Sequence, residues 1–587
     1  MGIRCCRTLP ALAVAAGLSL FPLARSSSAT PPKTELRAVW ITTASGLDWP
    51  KSSDRQEQEA SLRAIVRRLH ADHFNTIFFQ VRPRGDALYR SRYEPWAEQL
   101  GGALGRDPGW DPLKVVLDEA HSVGIEVHGW FNVYKIRARG TVRSEGLPHP
   151  AEAHPSWTVD VDGELWFDPG LPAVRQYLLN VLLDLVMGYD LDGVNLDFIR
   201  YPSADFADDA TYRRYGSGEP KADWRRENVT RFVREAYERC RKAKPGLKVG
   251  SSPLGTYAAD PPSGSEGSYA GYYQDSQGWL AAGIQDYLAP QIYWNIGVSR
   301  GDPDFASLVR SWSKASSGRH VYAGVGAYKP DVQAEIARQI DYARSAGLSG
   351  QAFFRLEHSF AHEAFGGRYD TPALVPPMPW KDPRPPSPPR DLAVSEITTN
   401  LFLVEWKAPR AAADGDTASW YVVYRSSVPV PDTDDPSSIL AVLPGSTTSW
   451  VDTIRIPTGV TYYYAVASHD RVRNESAPST VASAAVKALL TLARVTTSVT
   501  SMSVSVGAAD GRPALAAYRL AGTVPVTLDL LRASLPSPVR VARLVDERQD
   551  AGTYVVGLRD VDLPQGTYVL KLQAGTAAVE QSLTVHR

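Results

Sequence analysis

The sequence predicts a multidomain protein, with a (β/α)8 TIM barrel followed by two all-β sandwich domains. Its 587 residues are too many for one ordinary core. From 35 to 375, short apolar β-rich runs alternate with amphipathic helices, which is typical of a parallel barrel. The proline-rich stretch 376–390 is predicted to be a semi-rigid spacer. Beyond it the helical period disappears, and short alternating strands indicate sandwiches at 391–487 and 490–587.

The barrel is predicted to contain eight strands, at 36–42, 76–82, 125–133, 193–199, 247–253, 287–294, 320–328 and 351–357. Helices are expected between them. The helix at 111–124 has Asp111 as N-cap, Pro112 at its first position and Gly124 as its stop. A doubly wound open sheet is the alternative, but no glycine-rich phosphate loop follows the first strand.

The first 29 residues have the pattern of a secretory signal. Arg4 and Arg7 precede an apolar run at 11–23, and small residues lead to an expected cleavage after Ala29. Only Cys240 follows this signal, so no internal disulfide is expected in the mature chain. We expect the mature protein to be secreted or held at the cell surface, with the periplasm as the alternative.

Composition limits the classes of partner. The 63 basic and 64 acidic residues leave a net charge of -1, which gives no electrostatic reason to expect nucleic acid or an anionic membrane. After the signal, no apolar run approaches the ~20 residues of a transmembrane helix. The 15 Trp and 27 Tyr favour a glycan partner, because aromatic rings stack on sugars, although core packing explains them equally well.

The stretch YDLDGVNLDFIRYP, 189–202, contains the fourth predicted strand and places acids inside an apolar run. Strand alternation predicts a helix-facing set of Val194, Leu196 and Phe198, and a barrel-facing set of Asn195, Asp197 and Ile199. Asp197 falls near the C-terminal end of the strand, where barrel enzymes carry their chemistry. Asp192 falls at its start, where a cap or a structural hydrogen bond is expected.

Polar side chains are also predicted to face the barrel interior from four other strands and their loops. They are Gln80, Arg82, Arg84 and Asp86; Glu126, His128 and Asn132; Gln291; and Gln351, Arg355 and Glu357. An unpaired buried polar group costs about 1–3 kcal/mol, so these residues must serve a site or pair with one another. A packed polar network accounts for the lower members, Glu126 and Gln351.

Known hydrolytic motifs narrow the chemistry. No HxH or HExxH spacing indicates a metal, no GxSxG elbow indicates a serine hydrolase, and no cofactor is predicted. Carboxylates at an aromatic-rich cleft suit glycoside hydrolysis, which uses two carboxyl groups about 5–5.5 Å or 6.5–9.5 Å apart. Asp197 is the first catalytic candidate, with Asp86 or Glu357 as its partner. The expected sugar contacts are Arg82, His128, Asn132, Asn195, Arg200, Gln291, Tyr293 and Trp294.

The barrel resembles the bacterial glycosyl-hydrolase-like family 10, formerly domain of unknown function 187. The stretches that carry the resemblance include ELRAVWITT, NTIFFQVRPRGDALY, WDPLKVVLDEAHSVGIEVHGWFNVYK, YDLDGVNLDFIRYP and DYLAPQIYW. The resemblance implies a TIM-barrel hydrolase of envelope or extracellular glycans, with peptidoglycan strands as one substrate among relatives. Relatives usually carry two adjacent acids on strand four, whereas here Phe198 follows Asp197. The strand also resembles the DGxDxDxE motif of family 18 chitinases, but Ile199 occupies the position of the final glutamate. A chitinase mechanism with its acid at that position is therefore excluded.

The region 391–487 resembles a fibronectin type III domain, through Trp406, Tyr421 and Tyr424 and the stretch TYYYAVASHD. The C-terminal block resembles the immunoglobulin-like sorting domains of type IX secretion, which implies secretion machinery as a partner. A plain adhesive sandwich is the alternative for that block.

Three functions follow as hypotheses. The first is an exported glycoside hydrolase that uses Asp197. The second is a carbohydrate-binding barrel that has lost catalysis, which the Phe198 substitution motivates. The third is an envelope scaffold. A second carboxyl group within reach of Asp197 would separate the first from the others.

Overall fold

A computed structural model describes residues 31–140, 143–260, 263–297, 301–358, 362–398, 401–453, 460–485, 499–506, 513–532, 539–557, 566–575 and 577–585. The predicted signal at 1–29 lies outside these residues. Within them, no helix has the length and apolar character needed to cross a membrane.

In its described residues, the first region carries thirteen strands. They are β1 (Leu36–Ile41), β2 (Thr76–Arg82), β3 (Glu126–Asn132), β4 (Lys135–Ala138), β5 (Thr158–Val161), β6 (Glu164–Phe167), β7 (Gly193–Asp197), β8 (Lys248–Ser251), β9 (Tyr287–Leu288), β10 (Gln291–Ile292), β11 (His320–Val321), β12 (Ala323–Val325) and β13 (Gly350–Phe353). Strands β4, β6 and β5 form a small antiparallel sheet after β3. The other ten form one parallel sheet in the order β10-β12-β13-β1-β2-β3-β7-β8-β9-β11.

Helices alternate with these strands. They are α1 (Arg55–Ala71), α2 (Glu98–Gly101), α3 (Pro112–Ser122), α4 (Pro150–Ala153), α5 (Pro172–Gly188), α6 (Asp209–Tyr215), α7 (Lys221–Ala243), α8 (Gly267–Gly271), α9 (Ser276–Ala281), α10 (Phe305–Lys314), α11 (Pro330–Gln333) and α12 (Ile336–Ser345). The predicted start of α3 is confirmed, because Asp111 accepts a hydrogen bond from the backbone N–H of Lys114 and Pro112 opens the helix.

The parallel pairing closes into a barrel. Strand β13 pairs with both β1 and β12. Ala289 and Pro290 separate β9 from β10, and Tyr322 separates β11 from β12, so each pair is one interrupted strand. When each interrupted pair is counted as one strand, all eight predicted positions carry a strand. The predicted architecture, a barrel followed by all-β regions, is confirmed.

The two faces of the strands pack differently. Ala38, Trp40 and Phe78 lie in the barrel interior, whereas Val39 and Ile41 lie in the apolar core between the sheet and the helices. Both faces of β1 are therefore buried, which explains the apolar run from Ala38 to Ile41.

The predicted facing is wrong at the end of β7. The strand ends at Asp197, and Phe198 has φ 49°, in the left-handed region, which interrupts the alternation. Phe198 consequently lines the barrel mouth. Ile199 joins Val194 and Leu196 in the core beneath the helices.

The predicted phase of the eighth strand is also wrong. Ala352 lies in the barrel interior and Phe353 lies in the helix-side core. Gln351 faces the same side as Phe353, where its Nε2 donates to Glu35 Oε1 at 3.2 Å and its Oε1 accepts from the Tyr369 hydroxyl at 3.0 Å. The error arises because a four-residue strand shows too little alternation to fix its phase.

The remaining strands belong to two all-β regions. The first contains β14 (Arg390–Thr398), β15 (Leu401–Lys407), β16 (Trp420–Ser426), β17 (Ile439–Pro444), β18 (Ser449–Thr453), β19 (Thr461–His469) and β20 (Ala482–Ala485). The second contains β21 (Val499–Val506), β22 (Pro513–Leu520), β23 (Val524–Arg532), β24 (Val539–Gln549), β25 (Gly552–Gly557), β26 (Gly566–Ala574) and β27 (Ala577–Val585). Each region has one three-stranded and one four-stranded antiparallel sheet with a shared apolar core.

The chain between the barrel and the first sandwich is packed rather than extended away from the barrel. Met378 is buried with barrel-interior residues. Trp380 Nε1 and Lys381 Nζ donate to the carboxylate of the buried Asp286 at 3.0 and 2.9 Å. The predicted spacer is therefore fixed to the barrel over this part.

Candidate active site

A cavity of about 240 Å³ lies at the C-terminal ends of the barrel strands. Its lining is Trp40, Thr42, Ala44, Gln80, Pro83, Arg84, Trp130, Asn132, Lys135, Asp197, Phe198, Ser252, Gln291, Tyr293 and Phe354. Among these described lining residues, Asp197 is the only carboxylic acid.

Asp197 is buried, with 7% of its surface exposed, and it accepts three hydrogen bonds. Its Oδ1 accepts from the Phe198 backbone N–H at 2.7 Å and from Gln291 Nε2 at 3.3 Å, and its Oδ2 accepts from Trp130 Nε1 at 3.1 Å. Burial raises the pKa of Asp197 to about 6, although these donors and the charge of Arg200 oppose the rise. A carboxylic acid with this pKa can donate a proton near neutral pH.

Aromatic rings form one wall of the cavity. Tyr293 stacks on Phe354 with ring centroids 5.5 Å apart. Trp40 and Trp130 each meet Phe354 edge-on at 6.2 Å. Such a wall offers apolar ring faces together with the phenol group of Tyr293, which suits the mixed surface of a sugar ring.

Polar groups complete the cavity. Asn132 Nδ2 donates to the Pro83 carbonyl at 2.7 Å, but its buried Oδ1 has no hydrogen-bond partner among the described residues. Gln291 Nε2 also donates to the Ser252 carbonyl at 3.0 Å. Lys135, on β4, lines the same cavity. The cavity therefore offers a free acceptor and a cation to a bound ligand.

The structure brings Asp197, Asn132, Gln291 and Tyr293 together, as the sequence predicts, while Asn195 lies directly beneath them. Asn195 Oδ1 accepts from Trp40 Nε1 at 3.3 Å and from Ser252 Oγ at 2.6 Å. Asn195 therefore holds two residues of the lining without lining the cavity itself.

Arg82 and His128 do not reach the cavity. Arg82 is fully buried and pairs with both oxygens of Glu94, at 2.7 and 2.6 Å. His128 lies in the barrel centre, where its Nδ1 is 2.8 Å from the Tyr287 hydroxyl and its Nε2 is 3.3 Å from Glu126 Oε2. Both side chains serve the barrel framework in this structure.

Trp294 and Arg200 lie near the mouth but outside the lining. The Trp294 ring contacts Lys329, whose Nζ is 5.7 Å from the ring centroid. The Arg200 guanidinium lies 5.5 Å from the ring centroids of both Trp166 and Phe198. Arg200 therefore acts on Asp197 through its charge, from behind Phe198.

The two predicted partner acids have different surroundings. The side chain of Glu357 is 52% exposed and pairs with Arg355 Nη1 at 2.9 Å. Asp86 is buried, and its Oδ1 accepts from the Arg84 backbone N–H at 2.9 Å. Burial raises the pKa of Asp86 to about 6. Asp86 lines a second cavity, which shares Arg84 with the cavity of Asp197.

Sequence reasoning missed Trp40, Lys135 and Phe354. Trp40 could have been found from the alternation of β1, since it lies at the C-terminal end of that strand. Phe354 was missed because the eighth strand was given the wrong phase. Lys135 was missed because it lies on β4, an inserted strand that no sequence pattern indicated.

One acidic cluster with the spacing of metal ligands lies away from the barrel mouth, among the residues that the structure describes. The carboxylates of Asp382, Asp416 and Asp470 offer oxygens within 4.8 Å of one another. Asp470 Oδ1 already accepts from the backbone N–H groups of Val472 and Asn474, at 2.8 and 2.9 Å. Protein donors thus already bind this part of the cluster.

The fold and this cavity define a parallel β/α barrel with an aromatic-lined, acid-bearing cleft at its mouth. Residues 35–344 match the family described as glycosyl hydrolase-like 10, and the chain belongs to that family. The chain is 33% identical to "Glycosyl hydrolase YngK" of Bacillus subtilis (strain 168), over 76% of this chain and 92% of that protein. It is 34% identical to "Glycosyl hydrolase DigH" of Escherichia coli (strain K12), over 50% of this chain and 73% of that protein.

Among solved structures, the chain is similar to the PgaB (BpsB) glycoside hydrolase domain from Bordetella bronchiseptica. The two share 15% identity over 57% of this chain and 98% of that chain, with a TM-score of 0.41.

Proposed function

We propose that the barrel is a glycoside hydrolase that cleaves O-glycosidic bonds of a polysaccharide, with Asp197 as its general acid. The observation that carries the proposal is a single buried carboxylic acid, with a pKa raised to about 6, inside an aromatic-lined cavity at the barrel mouth. The membership of the chain in a glycosyl hydrolase-like family supports the same reaction class. Peptidoglycan glycan strands are the proposed polymer.

In the proposed reaction, Asp197 holds a proton below its pKa and donates it to the glycosidic oxygen as the bond to the anomeric carbon breaks. A water molecule supplies the new oxygen on that carbon, by direct attack or by hydrolysis of a glycosyl-enzyme intermediate, and its proton passes to the second carboxylate or back to Asp197, respectively. The carboxylate that results keeps its hydrogen bonds from Trp130 Nε1, Gln291 Nε2 and the Phe198 backbone N–H. These donors are in place before the reaction, so they stabilise the developing charge without reorganisation. The aromatic wall orients the sugar.

We propose Asp86, rather than Glu357, as the second carboxyl group. Asp86 is buried beside the same loop that lines the cavity, whereas Glu357 is exposed and paired with Arg355. Asp86→Asn is expected to lower kcat on the polysaccharide by at least about 100-fold. Glu357→Gln is the matched control, and a larger loss in that variant would reverse the assignment.

A carbohydrate-binding barrel without hydrolysis is the second candidate. The favouring observation is that Asp197 stands alone among the described lining residues, while hydrolysis ordinarily uses two carboxyl groups. The aromatic wall and the free Oδ1 of Asn132 serve binding equally well.

Mass spectrometry of glycans separates the two functions. The purified mature protein is incubated with peptide-free peptidoglycan strands, chitooligosaccharides and plant or algal polysaccharides, with Asp197→Asn alongside. New reducing-end fragments that require Asp197 are expected, and the glycan that yields them identifies the substrate class. Intact glycans that bind both proteins would instead establish the binding function.

We also propose that the protein is exported, to the medium, the cell surface or the periplasm. The pattern of residues 1–29 supports a cleaved signal. The fibronectin type III assignment of the first sandwich and the sorting role of the last, through secretion machinery, rest on sequence resemblance. N-terminal sequencing of the exported protein tests the expected cleavage after Ala29, and loss of surface display on deleting 490–587 tests the sorting role.

A further inference from the structure

A second cavity, of about 370 Å³, lies beside the cavity of Asp197. Arg84, on the loop after β2, lines both. Arg137, on β4, and Arg143, on the segment that follows, line the second cavity only. Three guanidinium groups therefore border one open cavity next to the proposed catalytic acid.

These guanidinium groups have no ion-pair partner among the described residues, unlike other arginines nearby. Arg106 pairs with Glu145 at 2.8 Å. Arg139, two residues from Arg137, pairs with Asp160 at 3.3 Å. The three arginines of the second cavity thus differ from these two neighbours.

The charge of the second cavity is positive. Its carboxyl groups are those of Asp86 and Glu98, against three guanidinium groups. Its histidine, His149, is neutral at neutral pH, because burial lowers its pKa to about 4. Burial lowers the pKa of Arg137 despite the opposing charges of Asp86 and Glu98, and the charge of Arg84 adds to the lowering. The three guanidinium groups outnumber the two carboxyl groups of the lining, and this excess of positive charge favours a bound anion.

We propose that the second cavity is a subsite for a carboxylate group carried by the glycan, bound by Arg84, Arg137 and Arg143. Planar guanidinium groups bind carboxylates with two parallel hydrogen bonds, so the chemistry of the lining matches this ligand. The volume lies in the range of small-molecule sites, about 300–1,000 Å³.

The inference rests on the proposed function and adds a preference for glycans that carry a carboxylate. Because Arg84 borders both cavities, a glycan with one sugar at Asp197 directs a neighbouring sugar towards the arginines. The neighbouring sugar is therefore the acidic one. The carboxylate can be the lactyl ether of an amino sugar in peptide-free peptidoglycan strands or the C6 carboxylate of a uronic acid.

Calorimetric binding tests the subsite without requiring turnover. The full mature chain carrying Asp197→Asn is titrated with peptide-free peptidoglycan oligosaccharides and with oligogalacturonate, each in native and carboxyl-reduced form. We expect at least one native glycan to bind about tenfold or more tightly than its reduced form. Preference for one glycan identifies the lactyl ether or the uronic acid as the source of the bound carboxylate.

The added substitutions Arg137→Gln and Arg143→Gln are each expected to reduce that preference about tenfold. Arg139→Gln is the matched control, because Arg139 is exposed and lies outside the lining. Thermal midpoints compare the folding of the variants. Equal binding of native and reduced glycans, absence of binding, or a preference that survives both arginine substitutions overturns the subsite.

Fragment release from native and reduced glycans distinguishes failure of the hydrolase proposal from failure of the subsite. A chain that prefers the native acidic glycan, but whose Asp197-bearing form releases no fragments from it, keeps the subsite and loses the hydrolase. A chain that releases fragments equally from native and reduced glycans keeps the hydrolase and loses the subsite.

Discussion

At the scale of single residues, the site depends on a balance at Asp197. Burial disfavours its charged form, whereas Trp130, Gln291 and the Phe198 backbone N–H favour it. Burial prevails and raises the pKa from 3.8 to about 6. Because burial disfavours the carboxylate form, ionisation of Asp197 lowers the free energy of unfolding.

The first prediction concerns that cost. Because folding raises the pKa of Asp197, this residue contributes to the free energy of unfolding. The contribution is complete below pH 3.8 and is lost as the pH rises to about 6. At about 1.4 kcal/mol for each pKa unit, the loss approaches 3 kcal/mol. Asp197→Asn removes the titration, so its thermal midpoint is expected to rise relative to wild type between pH 4 and pH 8.

The exposed Asp118→Asn serves as the control, and no such change is expected there. A constant difference between Asp197→Asn and wild type at both pH values would contradict the assigned pKa shift.

At the scale of elements, the end of β7 sets the shape of the mouth. The left-handed φ of 49° at Phe198 turns its ring into the cavity, next to Asp197. Aspartate tolerates this conformation better than most side chains. The backbone at position 198 therefore tolerates an acid.

The second prediction uses this turn. Phe198→Asp places a second carboxylate beside Asp197, and the like charge raises the pKa of Asp197 above its present value of about 6. The falling limb of the kcat/KM profile is expected to move to higher pH. Phe198→Asn is the isosteric control without the charge. An identical pH profile in both variants would show that position 198 does not act on Asp197.

The elements also explain how far sequence reasoning could go. The short strands β1, β2 and β3 are recognisable because each is rich in apolar residues and is packed on both faces. The four residues of β13 are too few to fix a facing, so Gln351 was placed on the wrong side. Asp197 was predictable from one carboxylate late in an apolar strand, but its pKa required the burial that only the fold provides.

At the scale of the whole molecule, the first sandwich closes the N-terminal end of the barrel. Arg473 Nε donates to Glu126 Oε1 at 2.5 Å, and Lys248 Nζ donates to both oxygens of Glu126 at 2.7 Å. All three side chains are buried. These cations hold the pKa of Glu126 well below its usual range, although burial opposes them.

The third prediction tests this closure. Arg473→Met removes one cation from the buried cluster, which is expected to cost on the order of 3 kcal/mol and to lower the thermal midpoint of the barrel. Lys407→Met is the control, because the ion pair of Lys407 with Asp391 lies within the sandwich, is exposed and contributes about 1 kcal/mol or less. Equal midpoints for the two variants would mean that the sandwich does not stabilise the barrel.

The central claim is that Asp197 is the general acid, and leaving-group dependence tests it most directly. Asp197→Ala is assayed on the polysaccharide identified as substrate and on a dinitrophenyl glycoside of the same sugar, whose leaving group needs no proton. A general acid predicts a loss of about 10²–10⁴-fold on the polysaccharide and a much smaller loss on the activated glycoside. An equal loss on both substrates, or no loss on either, would contradict the claim.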